Sequence, residues 1–170
     1  MIDDTSGPRL FDGAPPEPGP KASDHTWLHV PSAAPLPVVI LSDRGTGYVG
    51  HFAGGCMRPC LSADCPLCAR KVGTMPRLVY SVYDLRLRMP GLVEVGLLTY
   101  HEIERHADAV GHLRGLVITL RKDGSRSTGR IIAEAPDSHP NLPDPLPLAL
   151  DCRAALHRTW AAQAARRPLE

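Results

Sequence analysis

RLVYSVYDLRLR, residues 77–88, is a twelve-residue run of strand-forming side chains without proline or glycine. LVEVGLL, residues 92–98, follows it across Pro90-Gly91. The pair reads as a hairpin, and its length sets the scale of a mainly β domain. Upstream, Leu36–Ser42 (LPVVILS) reads as a strand, Asp43-Arg44-Gly45 as a turn and Thr46–Phe52 as a second strand. Downstream, Thr99 and Glu102 have capping-box spacing, which predicts a helix running to Val110 and stopped by Gly111. Gly115–Lys122 and Thr128–Ala135 read as two further strands around an Asp123-Gly124-Ser125 turn. Short strands with one helix before the last pair suit a small OB-like barrel over residues 36–135.

The flanks differ in composition. Residues 1–35 are an acidic tail rich in proline and glycine, which lacks the apolar surface needed to order itself. Residues 136–147 form a proline-rich linker, and residues 148–170 hold a helix whose Leu148, Leu156 and Trp160 are expected to pack. With 170 residues, 43% of them hydrophobic, the chain supports one domain plus tails. It has no apolar run of membrane-spanning length, and Met1-Ile2-Asp3-Asp4 does not begin a secretory signal, so a cytoplasmic protein is expected.

Between the second strand and the long hairpin, residues 53–76 hold Cys56-x3-Cys60-x4-Cys65-x2-Cys68. Zn²⁺ takes four soft ligands in a tetrahedron, and Cys65-Pro66-Leu67-Cys68 is a knuckle that aims two sulfurs at one ion. Cys56 and Cys60 are the preferred second pair. His51, five residues before Cys56, is the alternative to either of them. Two disulfides would need an oxidising compartment, and a redox Cys-x-x-Cys would need a strand–helix setting. A four-ligand site is closed, so the zinc is read as structural. Cys152 is expected in the core.

Charge is uneven along the chain. Residues 1–43 have a net charge of −4, residues 44–130 of +6 and residues 131–170 of −1. A basic middle is the footprint of a polyanion binder. The cations proposed to follow phosphates are Arg58, Arg70, Lys71, Arg77, Arg86, Arg88, Arg121, Lys122 and Arg130. The rings proposed to stack bases are Tyr48, Phe52, Tyr80 and Tyr83. Tyr48 and Phe52 share a strand face, whereas Tyr80 and Tyr83 point to opposite faces, so one of the latter two belongs to the core.

A Cys-rich insert between early strands of an OB-like barrel, with Arg, Lys and Tyr on adjacent strands, resembles the zinc-bearing OB-fold single-stranded-DNA-binding proteins. These include the helix-destabilising proteins of tailed phages and the zinc-bearing domain of the large subunit of replication protein A. The resemblance covers roughly residues 36–135 and lies in the element order and the Cys loop. It implies sequence-tolerant binding of single-stranded DNA, or of RNA, in replication, recombination or transfer. The competing expectation is a zinc-stapled protein-interaction module that docks a larger complex through the C-terminal helix.

Catalysis is not expected. The chain has no P-loop, G-x-S-x-G or H-E-x-x-H. His101 and His106 lack zincin spacing, Asp84, Glu94 and Asp108 form no acid pair, and the H-x-E signature of zinc deaminases is missing.

Overall fold

The computed structural model describes residues 27–61, 65–124, 129–136 and 140–164. Residues 1–26 of the expected tail, Ser125 of the expected turn, Thr128, the side chain of Trp160 and residues 165–170 lie outside the described residues. In chain order the elements are β1 Trp27–Leu28, β2 Leu36–Ile40, β3 Thr46–Ala53, β4 Cys56–Pro59, α1 Pro66–Ala69, β5 Thr74–Asp84, β6 Met89–Gly96, α2 Leu97–Val110, β7 Val117–Lys122, β8 Ile131–Glu134 and α3 Cys152–Ala164. The protein is mainly β, with eight strands in one open, mixed sheet and three short helices. Two compact units divide the chain. One holds residues 24–45 and 78–150, and the other includes residues 46–77 and 151–164.

In the first unit the strands run β1-β6-β5-β2-β7-β8. β2 is antiparallel to β5 (Val38↔Asp84) and to β7 (Val38↔Ile118). β7 is antiparallel to β8, and the two-residue β1 is parallel to β6. Strand β1 falls inside the span expected to be tail, and Val30 beyond it is buried.

Alternation along β2 divides the apolar residues between two faces. Val38 and Ile40 join Tyr80, Val82, Val95, Ile118 and Leu120 on one face, which Ile103 and Ala107 of α2 cover. Val39 and Leu41 join Tyr83 on the other, where Leu146 packs against them. Residues of the proline-rich segment are held there. The Arg114 guanidinium donates to Leu41 O and Pro147 O, and Leu150 N donates to Ser81 Oγ. That covering explains why Val38-Val39-Ile40-Leu41 is apolar without a break.

The strand path ends at β1 and β8 and does not close into a barrel among the described residues. The free edge of β8 is satisfied by side chains of α2. Thr99 Oγ1 donates to Ile131 O, and Glu102 Oε2 accepts from Ala133 N at 3.0 Å. Glu102 also pairs with Arg130. These are the residues expected to form a capping box. Instead α2 begins earlier, after Gly96, with no side-chain cap, and Thr99 and Glu102 serve the sheet edge. A two-residue β1 could not have covered that edge, so the helix removes the need for closure. Glu102→Ala is expected to leave the Ala133 N–H unbonded and to cost about 1–3 kcal/mol in urea unfolding.

The hairpin turn also moves. It occupies residues 85–88, ahead of Pro90-Gly91, and Pro90 lies within β6. Asp84 fixes it: this fully buried carboxylate accepts from Arg86 N at 2.7 Å and Leu87 N at 3.2 Å, and pairs with the Arg86 guanidinium. An aspartate that bonds the backbone two residues on starts a turn by itself. On the first core face, Gly45 abuts the ring of Tyr80, and an added Cβ would lie 2.9 Å from Tyr80 Cζ. Tyr80 is fully buried and its hydroxyl donates to Glu104, so it cannot swing aside. Gly45→Ala is therefore expected to destabilise the protein by about 1–3 kcal/mol, read from the urea midpoint.

Candidate metal centre

β3 and β4 pair with Gly50↔Pro59, His51↔Arg58, Phe52↔Met57 and Ala53↔Cys56. Gly54 and Gly55 connect them, both with positive φ (61° and 77°), as a two-residue turn of this hand requires. Alternation separates His51 from Tyr48 and Phe52, and the His51 ring is fully buried.

Beyond masked residues 62–64, Cys65-Pro66-Leu67-Cys68 makes one turn of helix, with Ala69 N donating to Cys65 O. Lys71 then takes φ 57°, its N–H returns to Cys68 O, and Val72 N returns to Leu67 O. This is a Schellman ending, with lysine where glycine is usual. It turns the chain back so that Val72 O and Gly73 O lie 3.0 and 3.2 Å from His51 Nδ1.

His51 Nε2 then faces sulfur. It lies 3.4 Å from Cys65 Sγ and 3.5 Å from Cys68 Sγ, and Cys60 Sγ lies 3.5 Å from Cys68 Sγ. All four ligand atoms lie within 4.8 Å of one another. With bonds of ~2.3 Å to sulfur and ~2.0 Å to nitrogen, tetrahedral geometry puts neighbouring ligand atoms ~3.5–3.8 Å apart. Three edges of the cluster, at 3.4–3.5 Å, come close to those values. All five cysteines are free thiols. Burial raises the Cys65 pKa, but backbone hydrogen bonds from Leu61, Cys68 and Leu67 and the Cys60 thiol outweigh burial and bring it to about 7. His51 Nδ1–H donating to backbone carbonyls leaves Nε2 as the lone-pair nitrogen, as in metal-bound histidines. His51, Cys60, Cys65 and Cys68 can therefore hold a metal ion.

Cys56, preferred from the spacing as the fourth ligand, is not in this group. It is exposed, and its thiol points to Ala53 O at 3.5 Å. The reason is extension. Cys56–Pro59 is a strand, and at ~3.3 Å per residue it carries Cys56 and Cys60 about 13 Å apart. His51, the alternative to Cys56, is the fourth member of the group, its ring held against Val72 O and Gly73 O. The spacing did not reveal the anchoring of His51 by the carbonyls of Val72 and Gly73.

Comparison with known proteins finds no matching family model, no matching curated protein and no matching solved structure. No helix among the described residues is long and apolar enough to cross a membrane.

Three of the four rings proposed to stack bases are buried: Tyr48, Tyr80 and Tyr83. Phe52 is 48% exposed. The cations divide by unit. In the sheet-bearing unit Arg86 pairs with Asp84, Arg121 with Glu134 and Arg130 with Glu102. The hydrogen bonds from Arg121 hold the Glu134 carboxyl below its ordinary pKa. Arg88 is exposed and Lys122 half-buried there. In the other unit residues 46–77 carry Arg58, Arg70, Lys71 and Arg77 against one carboxylate, Asp64, which lies outside the described residues. Helix α3 belongs to that same unit and packs on β4. Asp151 Oδ1 accepts from Ala154 N as the helix N-cap, and Cys152, Ala154, Ala155 and Leu156 are buried. Leu148, expected to pack, precedes the helix and is 85% exposed.

Proposed function

We propose that His51, Cys60, Cys65 and Cys68 hold a structural zinc ion, and that the unit they staple binds single-stranded nucleic acid without sequence preference. The observation that carries the second half is the charge of the segment that bears the ligands: residues 46–77 hold four cations and one carboxylate, Asp64. Three thiolates and an imidazole fill the coordination sphere of zinc, which leaves no open position for substrate and makes the role architectural. The zinc would fix Arg70 and Lys71 in place on a loop too polar to order itself. Kinship with the zinc-bearing OB-fold single-strand binders belongs to this reading, and rests on the metal loop after β3 and the helix before the last strand pair. A protein-interaction module is the second reading, favoured by the burial of Tyr48, Tyr80 and Tyr83, which leaves few rings for bases.

Zinc analysis and oligonucleotide binding on one sample separate these readings. One zinc per chain, with single-strand binding that weakens steeply as salt rises and exceeds duplex binding, is the expected result. Stoichiometric zinc without binding at low salt would sink the nucleic-acid reading and leave the interaction module. A sample free of zinc after expression in zinc-supplemented medium would sink the metal assignment.

A further inference from the structure

The four residues of the metal group are unequally placed. His51, Cys60 and Cys65 are buried, whereas Cys68 is exposed. Helix α1, which carries Cys68, has no buried residue, so this thiol stands on the surface of the loop. Cys60 follows β4, and its N–H donates to Val49 O at 2.8 Å, which ties it to β3. Its sulfur lies 3.5 Å from Cys68 Sγ. One thiol of the pair is thus open to a small solute, and the other is held immediately behind it. A disulfide has an S–S length of ~2.05 Å, so joining the pair needs a displacement of about 1.5 Å. The exposed single turn of α1 can supply that movement more readily than the strand end that holds Cys60. Cys56 cannot take the place of Cys68, because the extended strand sets it about 13 Å from Cys60, beyond the reach of a disulfide.

We infer that Cys60 and Cys68 form a peroxide-sensitive switch that opens the metal site. The inference rests on the zinc assignment above and does not need the nucleic-acid reading. The oxidant is a hydroperoxide, with hydrogen peroxide the simplest. The Cys68 thiolate attacks one peroxide oxygen, the O–O bond breaks and hydroxide leaves, which makes Cys68 a sulfenic acid. The Cys60 thiolate attacks that sulfur, the S–O bond breaks and a second hydroxide leaves, which closes the Cys60–Cys68 disulfide. Two thiolates have given up two electrons, and one peroxide has become two hydroxides. The metal ligand is the thiolate, so the disulfide withdraws two of four ligands and leaves His51 and Cys65, too few to retain zinc. Residues 66–73 then lose the anchor that Cys68 gave them, and Arg70 and Lys71 are released with them.

The test treats the full, zinc-loaded chain with one equivalent of hydrogen peroxide beside a chromophoric zinc chelator. The expected result has three parts: loss of the zinc, loss of two hydrogens in a Cys60–Cys68 disulfide, and loss of protection from trypsin after Arg70 and Lys71. The endoproteinase Asp-N cuts before Asp64, so that disulfide joins two peptides that otherwise separate, and fragmentation assigns the sulfurs. Dithiothreitol with added zinc should reverse all three changes, and Cys56→Ser should respond as wild type does. Zinc kept under peroxide by a protein that yields it to a mercurial thiol reagent overturns the switch and leaves the zinc assignment standing. A protein that takes up no zinc overturns both. A disulfide through Cys56 or Cys65, sulfinic acid at Cys68 without a disulfide, or zinc loss without exposure to trypsin overturns the switch alone.

Discussion

Cys65→Ser is expected to lose the metal and unfold residues 46–77, whereas Cys56→Ser keeps one zinc per chain and the wild-type melting curve. Two of the four cysteines in the cluster thus have opposite fates, although spacing alone ranks them as equals. Cys65 is buried, lies 3.4 Å from His51 Nε2 and receives backbone hydrogen bonds that favour its thiolate. Cys56 is exposed at the hairpin turn, about 13 Å along an extended strand from Cys60. Structural zinc in small domains contributes apparent binding free energies of ~10–16 kcal/mol, and that binding is inseparable from folding. Among the described residues, 46–77 have one four-residue helix and the β3–β4 hairpin, with α3 packed on β4, so the loop that carries Cys60, Cys65 and Cys68 has little else to hold it. Zinc content by mass spectrometry and trypsin cleavage after Arg70, Lys71 and Arg77 give independent readouts. The sheet-bearing unit has its own core on both faces of β2, and far-UV signal from α2 should persist. Full zinc in Cys65→Ser, or its loss in Cys56→Ser, would discard this ligand set.

What the sequence disclosed depended on the range of the interaction. Strand positions followed from alternation and β-branched runs, because these are local and the core rewards them directly. That residues 53–76 could hold a metal was legible from four cysteines in thirteen residues, three of which the structure gathers with His51 into a group able to do so. The fourth member of that group was not, because it turns on whether residues 56–59 are extended or coiled, and β3 decides that by pairing with them. The capping box failed for a similar reason. Thr99 and Glu102 have the spacing for a local role, but β8, some thirty residues away, offers them a free edge with unmet N–H and C=O groups. Asp84 misled in the other direction. Pro90-Gly91 is the stronger dipeptide signal, yet a buried carboxylate six residues earlier already closes the turn. The barrel was the least legible feature, since closure depends on what the end strands meet and not on any strand's own residues.

Charge is where the fold changes the functional argument most. A net of +6 over residues 44–130 treats Arg121 and Arg70 as equivalent, and the two units make them different. Replacing Arg58, Arg70 and Lys71 together by glutamine is expected to weaken single-strand binding about a hundredfold at 0.1 M salt. Each single-strand phosphate contact contributes a salt slope of ~0.7, so three lost contacts remove about two units from the slope and about two decades of affinity. Replacing Arg86, Arg121 and Arg130 by glutamine should change the slope by less than one contact's worth. Those guanidiniums already neutralise Asp84, Glu134 and Glu102, so no counterion is released when a phosphate approaches. Their removal should instead lower stability, most through Arg86, whose partner Asp84 is fully buried. Both triple variants are compared with wild type over 20–300 mM salt, with zinc measured in each. If the ion-paired set were the one that flattens the slope, phosphates would be displacing carboxylates, and the binding face would belong to the sheet and not to the metal loop.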